Sequence, residues 1–324
     1  MESTMRRIGI LTSGGDAPGM NAAIRAAVRA CAQNGVIPVG IHRGYNGLIH
    51  SDVVELDARS VNGITSRGGT MLYTARCEEF KTDAGLQMAV NACNYLGLNG
   101  IIAIGGDGTF RGAGKLSAAG INTICIPATI DNDIGCTHYS IGFDTAANTA
   151  IGAIDKLADT MQSHERTSIV EVMGHGAGHL ALYVGIAVGA TAILIPEKPF
   201  DFEQDVLEHI REGKYRNKHH HLIIVSEGVA DTLAIAQRIR DELGLDTRAT
   251  IIGHIQRGGS PTARDRVMAT RMGHFAIEAL LAGKTNQVVC YRNSQLVLTP
   301  IDEALQMKKS LDSYMYRVAK EVSI

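Results

Sequence analysis

The sequence predicts an α/β protein of two similar three-layer lobes with mainly parallel sheets. Three observations carry that prediction. Short runs of Ile, Val and Ala recur along the chain, each halted by a turn rich in Gly or Pro, as buried parallel strands are. Segments with an apolar stripe at helical spacing lie between those runs, which is the alternation of a parallel sheet. At 324 residues the chain also exceeds what one hydrophobic core usually serves. The active cleft is expected between the lobes.

In order, residues 7–12 read as a first strand, and Ser13-Gly14-Gly15-Asp16-Ala17-Pro18-Gly19 as the turn after it. Residues 21–34 form an Ala-rich helix closed by Gly35, and 38–41 the next strand. Residues 101–104 are a buried strand running into Gly105-Gly106-Asp107-Gly108-Thr109, and 123–126 another that stops at Pro127. A helix over 144–161 leads to a second sheet, with strands at 168–172, 192–195, 222–225 and 250–252. The tail, 301–324, alternates apolar and basic residues at helical spacing and is expected to be one packing helix. The lobes are expected to exchange segments: 1–142 with 256–306 as one lobe, 143–255 with 307–324 as the other.

Composition narrows the function. The net charge of −2 supplies no field for nucleic acid or anionic lipid. Trp is absent and aromatics are 5%, which argues against base-stacking surfaces. The six cysteines show no CxxC spacing and read as reduced thiols of a cytosolic protein. Met1-Glu2-Ser3-Thr4 leads straight into a strand, so no signal peptide is expected. No apolar stretch is long enough for a membrane-spanning helix. Neither GxGxxG nor GxxxxGK[ST] occurs, which weakens the Rossmann and P-loop readings.

The chemistry centres on Pro127-Ala128-Thr129-Ile130-Asp131-Asn132-Asp133. Strand C-terminal ends are where open α/β sheets bind ligands. Two carboxylates two residues apart can divide labour there, one taking a proton while its neighbour helps with a metal or a hydroxyl. An Asx-rich turn that only caps the next helix remains open on spacing alone. In Gly105–Thr109, glycines would let a phosphate approach the backbone, and Asp107 could hold Mg²⁺ with substrate phosphates. A turn needing positive φ would explain those glycines, though not Asp107. Arg76, Arg166, Arg248 and Arg257 lie in Gly-, Ser- or Thr-rich segments suited to phosphate. His219, His220 and His221 are consecutive, a spacing that does not set three metal ligands on one face.

Taken together, TSGGDAPGMNAAIR (12–25), RGGT (67–70), GGDGT (105–109), TIDND (129–133), VEVMG (170–174) and TRATIIGHIQRGG (247–259) resemble the signatures of the bacterial ATP-dependent 6-phosphofructokinase family. The match runs nearly end to end with the motifs in order. GGDGT alone also resembles the nucleotide loop of NAD kinases and diacylglycerol kinases. The resemblance implies Asp131 as the base for the 1-hydroxyl of fructose 6-phosphate, Asp107 on Mg²⁺ with Asp133 nearby, and Thr129 and Arg76 at the transferring group. It implies Gly15, Tyr45, Arg76, Cys77, Gly106, Asp107, Gly108 and Thr109 around ATP. Thr129, Ile130, Asp131, Met173, Gly174, His175, Glu227, His254, Ile255, Gln256 and Arg257 would face the sugar phosphate. Arg166 and Arg248 would reach the 6-phosphate from a neighbouring subunit, which implies a homotetramer. Arg25, Arg29 and Lys214 match an effector site.

The chain departs from the family pattern at several places. His175 stands where Arg is common. Ala158, Thr191 and Ala58 replace two arginines and a glutamate expected at the effector site, so weak or altered regulation is expected. Pyrophosphate-dependent relatives carry Asp at the position of Gly108 and Lys at that of Ala128. Gly108 fits ATP, while Ala128 adds one methyl to the usual Gly. The alternatives are a pyrophosphate-dependent enzyme, a kinase of a related sugar phosphate such as sedoheptulose 7-phosphate, an NAD kinase-like enzyme, and an inactive sugar-phosphate sensor. Retention of Asp107, Asp131 and Asp133 argues against the sensor.

Overall fold

The computed structural model describes residues 6–323. The expectation about the N-terminus rests on residues outside that range. The strands are β1 (Arg7–Thr12), β2 (Ile37–Ile41), β3 (Val53–Glu55), β4 (Gly100–Gly105), β5 (Thr123–Pro127), β6 (Thr167–Val172), β7 (Ala192–Leu194), β8 (His221–Ser226), β9 (Thr247–Ile251), β10 (Gln287–Arg292) and β11 (Gln295–Pro300). The helices are α1 (Met20–Gln33), α2 (Tyr45–Ile49), α3 (Asp83–Tyr95), α4 (Asp107–Ala118), α5 (Phe143–Ser163), α6 (His179–Ala187), α7 (Glu208–Tyr215), α8 (Thr232–Leu243), α9 (Ala263–Leu281), α10 (Ile301–Gln306) and α11 (Ser313–Glu321).

The chain divides into two compact units, Met1–Thr145 with Arg257–Lys309, and Ala146–Gln256 with Ser310–Ile324. The sequence placed the three crossings slightly earlier. The first unit carries a sheet ordered β11-β10-β5-β4-β1-β2-β3. Its central strands are parallel and buried on both faces, which is why β1 and β4 read as continuous apolar runs. Its two edges are antiparallel: β3 against β2, and β11 against β10. From β1 the chain steps to β2 on one side, then returns to place β4 on the other. The switch point of the sheet therefore lies between β1 and β4, and the C-terminal ends of the strands at such a point are where open α/β sheets bind ligands. Behind the sheet, α1 and α9 cross closely. A side chain at Gly273 would meet the Ala23 carbonyl at 2.5 Å, so glycine there permits the approach.

The second unit holds an all-parallel sheet ordered β7-β8-β6-β9. Its core gathers Ile169, Leu207, Ile210, Ile223, Val225 and Ile239. The tail corrects the single expected helix. It forms α10 and α11, parted by an extended stretch in which Lys308 pairs with Ile134 in an isolated antiparallel bridge. The apolar period holds within each piece, but a main-chain partner takes the residues between. All six cysteines are free, and all but Cys77 are buried. Among the described residues no helix is long and apolar enough to cross a membrane.

Candidate active site

In the first unit the loops after β1 and β4 flank the switch point and are tied together. Ser13 N donates to the Ile104 carbonyl at 3.0 Å, and Thr109 Oγ1 donates to the Ser13 carbonyl at 3.0 Å. Gly105, Gly106 and Gly108 do not have positive φ, so turn conformation does not explain them. A Cβ at Gly105 would lie 2.3 Å from both the Ser13 carbonyl and Thr109 Oγ1, so this glycine serves the close approach of two loops. A Cβ at Gly106 or Gly108 would meet nothing within 4 Å. These two leave open space over the N-terminus of α4, where main-chain N–H groups and the helix dipole favour an anion. Gly15 is overhung by Arg257: a Cβ there would meet Nη1 at 2.7 Å, and Nη1 donates to the Asp16 carbonyl at 3.4 Å.

Two further segments are tied to the β1 loop. Asn21, buried on α1, donates to the Arg67 and Gly68 carbonyls and accepts from Met71 N at 2.7 Å. Thr74 Oγ1 donates to the Gly14 carbonyl at 2.6 Å, which brings the 70–76 segment to the same loop. Arg76 follows, exposed, and Cys77 packs partly against the core.

Beyond β5 the chain makes a buried turn. Asp131 is 5% exposed; its Oδ2 accepts from Thr129 Oγ1 at 3.1 Å, and its N–H donates back to that oxygen at 3.2 Å. Asn132 sits at φ +50°, a conformation Asn tolerates better than most residues. Its Oδ1 accepts from Ser140 N at 3.1 Å and from Lys309 Nζ at 2.8 Å. Ser140 Oγ donates to the Thr129 carbonyl at 2.6 Å, closing the loop on itself.

Asp133 and Asp107 are electrostatic neighbours. Burial, then the Asp133 charge, raise the Asp107 carboxyl above its usual range, with Arg111 4.0 Å away opposing them. Two carboxylates held close beside an anion-favouring helix end fit a divalent cation shared with phosphates. Among the described residues no three His, Cys, Asp or Glu side chains converge as a metal cage. Magnesium does not require one, since one or two carboxylates plus substrate oxygens suffice. Burial lowers Lys309 to about 8, while Asp133 pulls the other way.

The second unit builds its own polar end. The C-terminal end of β6 runs into Met173-Gly174-His175, and Glu227 follows β8. Glu227 Oε1 accepts from Gly174 N at 3.3 Å and His175 N at 2.8 Å. His175 takes φ +51° and is exposed. Gly174 is required because a Cβ would meet the Ala177 carbonyl at 2.3 Å. Met173 N donates to Gln256 Oε1 at 2.9 Å. At the other end of this sheet, Arg166 Nε and Arg248 Nε both reach Asp246, at 2.5 and 3.2 Å. The Arg166 hydrogen bond, then the two arginine charges, hold the Asp246 carboxyl below its usual range.

The family model described as Phosphofructokinase matches residues 7–280. The chain belongs to the phosphofructokinase family. It is 53% identical over 319 residues to an ATP-dependent 6-phosphofructokinase of Clostridium novyi, covering 98% of this chain and 100% of that one. A protein of the same description from Clostridium botulinum (strain Loch Maree) is 50% identical over the same shares. Among solved structures, the phosphofructokinase of Saccharomyces cerevisiae superposes with a TM-score of 0.87 at 31% identity. It covers 98% of this chain, which spans 46% of the yeast chain. A pyrophosphate-dependent phosphofructokinase from Marinobacter aquaeolei reaches a TM-score of 0.87 at 20% identity over 96% of this chain and 86% of its own, a likeness of fold alone.

Several residues that the resemblance implies for the site are buried or engaged elsewhere. Tyr45, expected beside the nucleotide, is buried. Its ring stacks on Phe80 at 4.2 Å and its hydroxyl donates to the Thr109 carbonyl at 2.6 Å, so it steadies α4 from behind. Ile130 is fully buried and can offer a ligand only its main chain. Gln256 is buried and engaged with Met173. Ile255 is 71% exposed and His254 is exposed beside it. Arg257 falls in the first unit over Gly15, although the resemblance set it at the sugar phosphate. Of the effector set, Arg25 and Arg29 share α1, and burial, then the Arg29 charge, lower Arg25. Lys214 belongs to α7 in the other unit. Asn21, Thr74 and Lys309 join the site only in the structure. Asn21 had a signal, as a polar residue on the apolar face of α1. Lys309 had none in a polar stretch.

Proposed function

We propose that this chain is an ATP-dependent 6-phosphofructokinase: it transfers the γ-phosphoryl of ATP to the 1-hydroxyl of fructose 6-phosphate, giving fructose 1,6-bisphosphate and ADP in glycolysis. The observation that carries this reading is the acid set after the C-terminal ends of β4 and β5, buried Asp131 with the Asp107–Asp133 pair beside the open N-terminus of α4. Full-length relatives at about half identity are described as such enzymes. Asp131 takes the proton of the acceptor hydroxyl, and the oxygen attacks the γ-phosphorus in line with departing ADP. Phosphoryl transfer asks the protein for alignment and charge neutralisation. The Thr129 hydroxyl orients the base. Arg76 offsets charge on the transferring group. Gly15, Cys77 and Gly106 to Thr109 form the nucleotide's bed. Magnesium, held by Asp107 with Asp133 beside it, would supply charge neutralisation on the phosphates. Met173, Gly174, His175, Glu227 and His254 take the sugar phosphate.

ATP is favoured over pyrophosphate by the open space at Gly108, which leaves room for an α-phosphate. Ala128 is buried, so its methyl does not enter that space. The reading includes a cytoplasmic homotetramer in which Arg166 and Arg248, oriented by Asp246, serve a neighbour's 6-phosphate. It also includes a blunted response to phosphorylated effectors through Arg25, Arg29 and Lys214. A coupled assay of fructose 1,6-bisphosphate formation with fructose 6-phosphate tests the core claim. Turnover with ATP and none with pyrophosphate is expected. Turnover with pyrophosphate alone, or with neither donor, would overturn it.

A further inference from the structure

The base-bearing turn is held from outside its own segment. Asn132, between the two acids, adopts a left-handed backbone that costs a non-glycine residue of order 1 kcal/mol or more. Such a residue persists when its surroundings over-determine it. Two donors do so here, Ser140 N from within the loop and Lys309 Nζ from a segment 177 residues away. Lys309 also donates to the His138 carbonyl at 3.4 Å, so one ammonium spans the loop from Asn132 to His138.

The segment that delivers this lysine is itself fixed. Lys308 pairs with Ile134, and Gly135 allows the approach, since a Cβ there would stand 2.1 Å from the Met307 carbonyl. Two consecutive contacts outside the lysine side chain thus aim it at the turn. The ammonium is also a positive charge beside Asp133, in a cluster otherwise rich in carboxylates. We propose that Lys309 is a positioning residue for phosphoryl transfer, clamping Asn132 so that the Thr129–Asp133 turn presents its acids in one geometry. The inference rests on the phosphofructokinase reading above. It adds to it a residue from the far end of the first unit's sequence.

The test uses the enzyme and four variants: Lys309→Met, Lys309→Arg, Asn132→Gly and the double Lys309→Met/Asn132→Gly. Glycine keeps the left-handed backbone at 132 and removes the clamped oxygen. A displacement of about 1 Å at reacting groups costs about 10²-fold. Lys309→Met is therefore expected to lower kcat by roughly 10- to 100-fold, with KM for ATP and fructose 6-phosphate within about threefold and the melting temperature nearly unchanged. Lys309→Arg should recover most of the loss. Asn132→Gly should lose at least as much as the Met variant, since it also frees Ser140 N, and the double variant should be no worse than Asn132→Gly, because both changes remove the Lys309–Asn132 bond. A Met variant within about twofold of wild-type kcat, or single losses that multiply in the double variant, would overturn the inference and leave the proposed function standing. Wild-type protein inactive with both substrates would overturn the function reading, and this inference with it.

Discussion

The three glycines around Asp107 separate a packing role from a binding role, and alanine at each should give a different result. At Gly105 the new methyl would sit 2.3 Å from the Ser13 carbonyl and from Thr109 Oγ1, far inside contact distance. Overpacking of this kind costs about 1–3 kcal/mol. The shift would also strain the Thr109–Ser13 hydrogen bond, which contributes about 1 kcal/mol. At about 2–4 °C per kcal/mol, Gly105→Ala should lower Tm by roughly 4–16 °C. At Gly108, in the first turn of α4, nothing lies within 4 Å, and alanine should be neutral or stabilising by up to about 1 kcal/mol. Gly106 has ordinary extended backbone (φ −99°, ψ −165°), so alanine there should also be tolerated. If phosphates lie over this helix end, a methyl at 108 takes their place, and KM for ATP should rise by about tenfold or more, a loss of about 1.4 kcal/mol. Thermal melts and ATP saturation curves measure both effects. A Gly108→Ala enzyme with unchanged KM for ATP, or a Gly105→Ala enzyme as stable as wild type, would refute the reasoning.

Two further predictions concern the second unit. Glu227→Ala removes the acceptor that holds Gly174 N and His175 N, bonds to a charged group worth about 1.5–3 kcal/mol. KM for fructose 6-phosphate should rise by roughly 10- to 150-fold with KM for ATP unchanged, and Glu227→Gln, which keeps an acceptor, should fall between. Equal effects on both substrates would count against the assignment. His221 is 1% exposed, neither ring nitrogen has a protein partner among the described residues, and burial, then Lys218, His220 and Lys214, lower it to about 4. The folded protein keeps this ring neutral while the unfolded chain protonates below about 6.5. Stability from this group is therefore full above pH 6.5 and lost as pH falls towards 4, by a few kcal/mol at most. Urea unfolding from pH 7 to 4 should show a shallower decline for His221→Leu than for wild type, and parallel declines would contradict the sign.

Much of the architecture was written in local pattern. Buried parallel strands such as β4 and β8 need apolar residues on both faces, so they stand out as runs ended by Gly, Pro or Ser. The acids and glycines of the site were visible for the same reason, as polar or small residues at strand ends. The β10–β11 hairpin carries no strong local signal, because its turn is Asn293-Ser294, both at positive φ, rather than the more familiar Asn-Gly. The break in the tail was invisible because it depends on the Ile134 partner far away in sequence. Tyr45, Gln256 and Lys309 share that limit. Each is defined by the group it touches, Thr109, Met173 or Asn132, and no periodicity encodes such a partner.

The role of Asp131 is tested most directly by the turnover number of Asp131→Asn with saturating ATP and fructose 6-phosphate. Loss of a general base predicts a kcat lower by about 10²–10⁴-fold, with KM for each substrate within about threefold because Asn keeps the side chain's size and one oxygen for Thr129 Oγ1. A kcat within a few-fold of wild type would contradict the account.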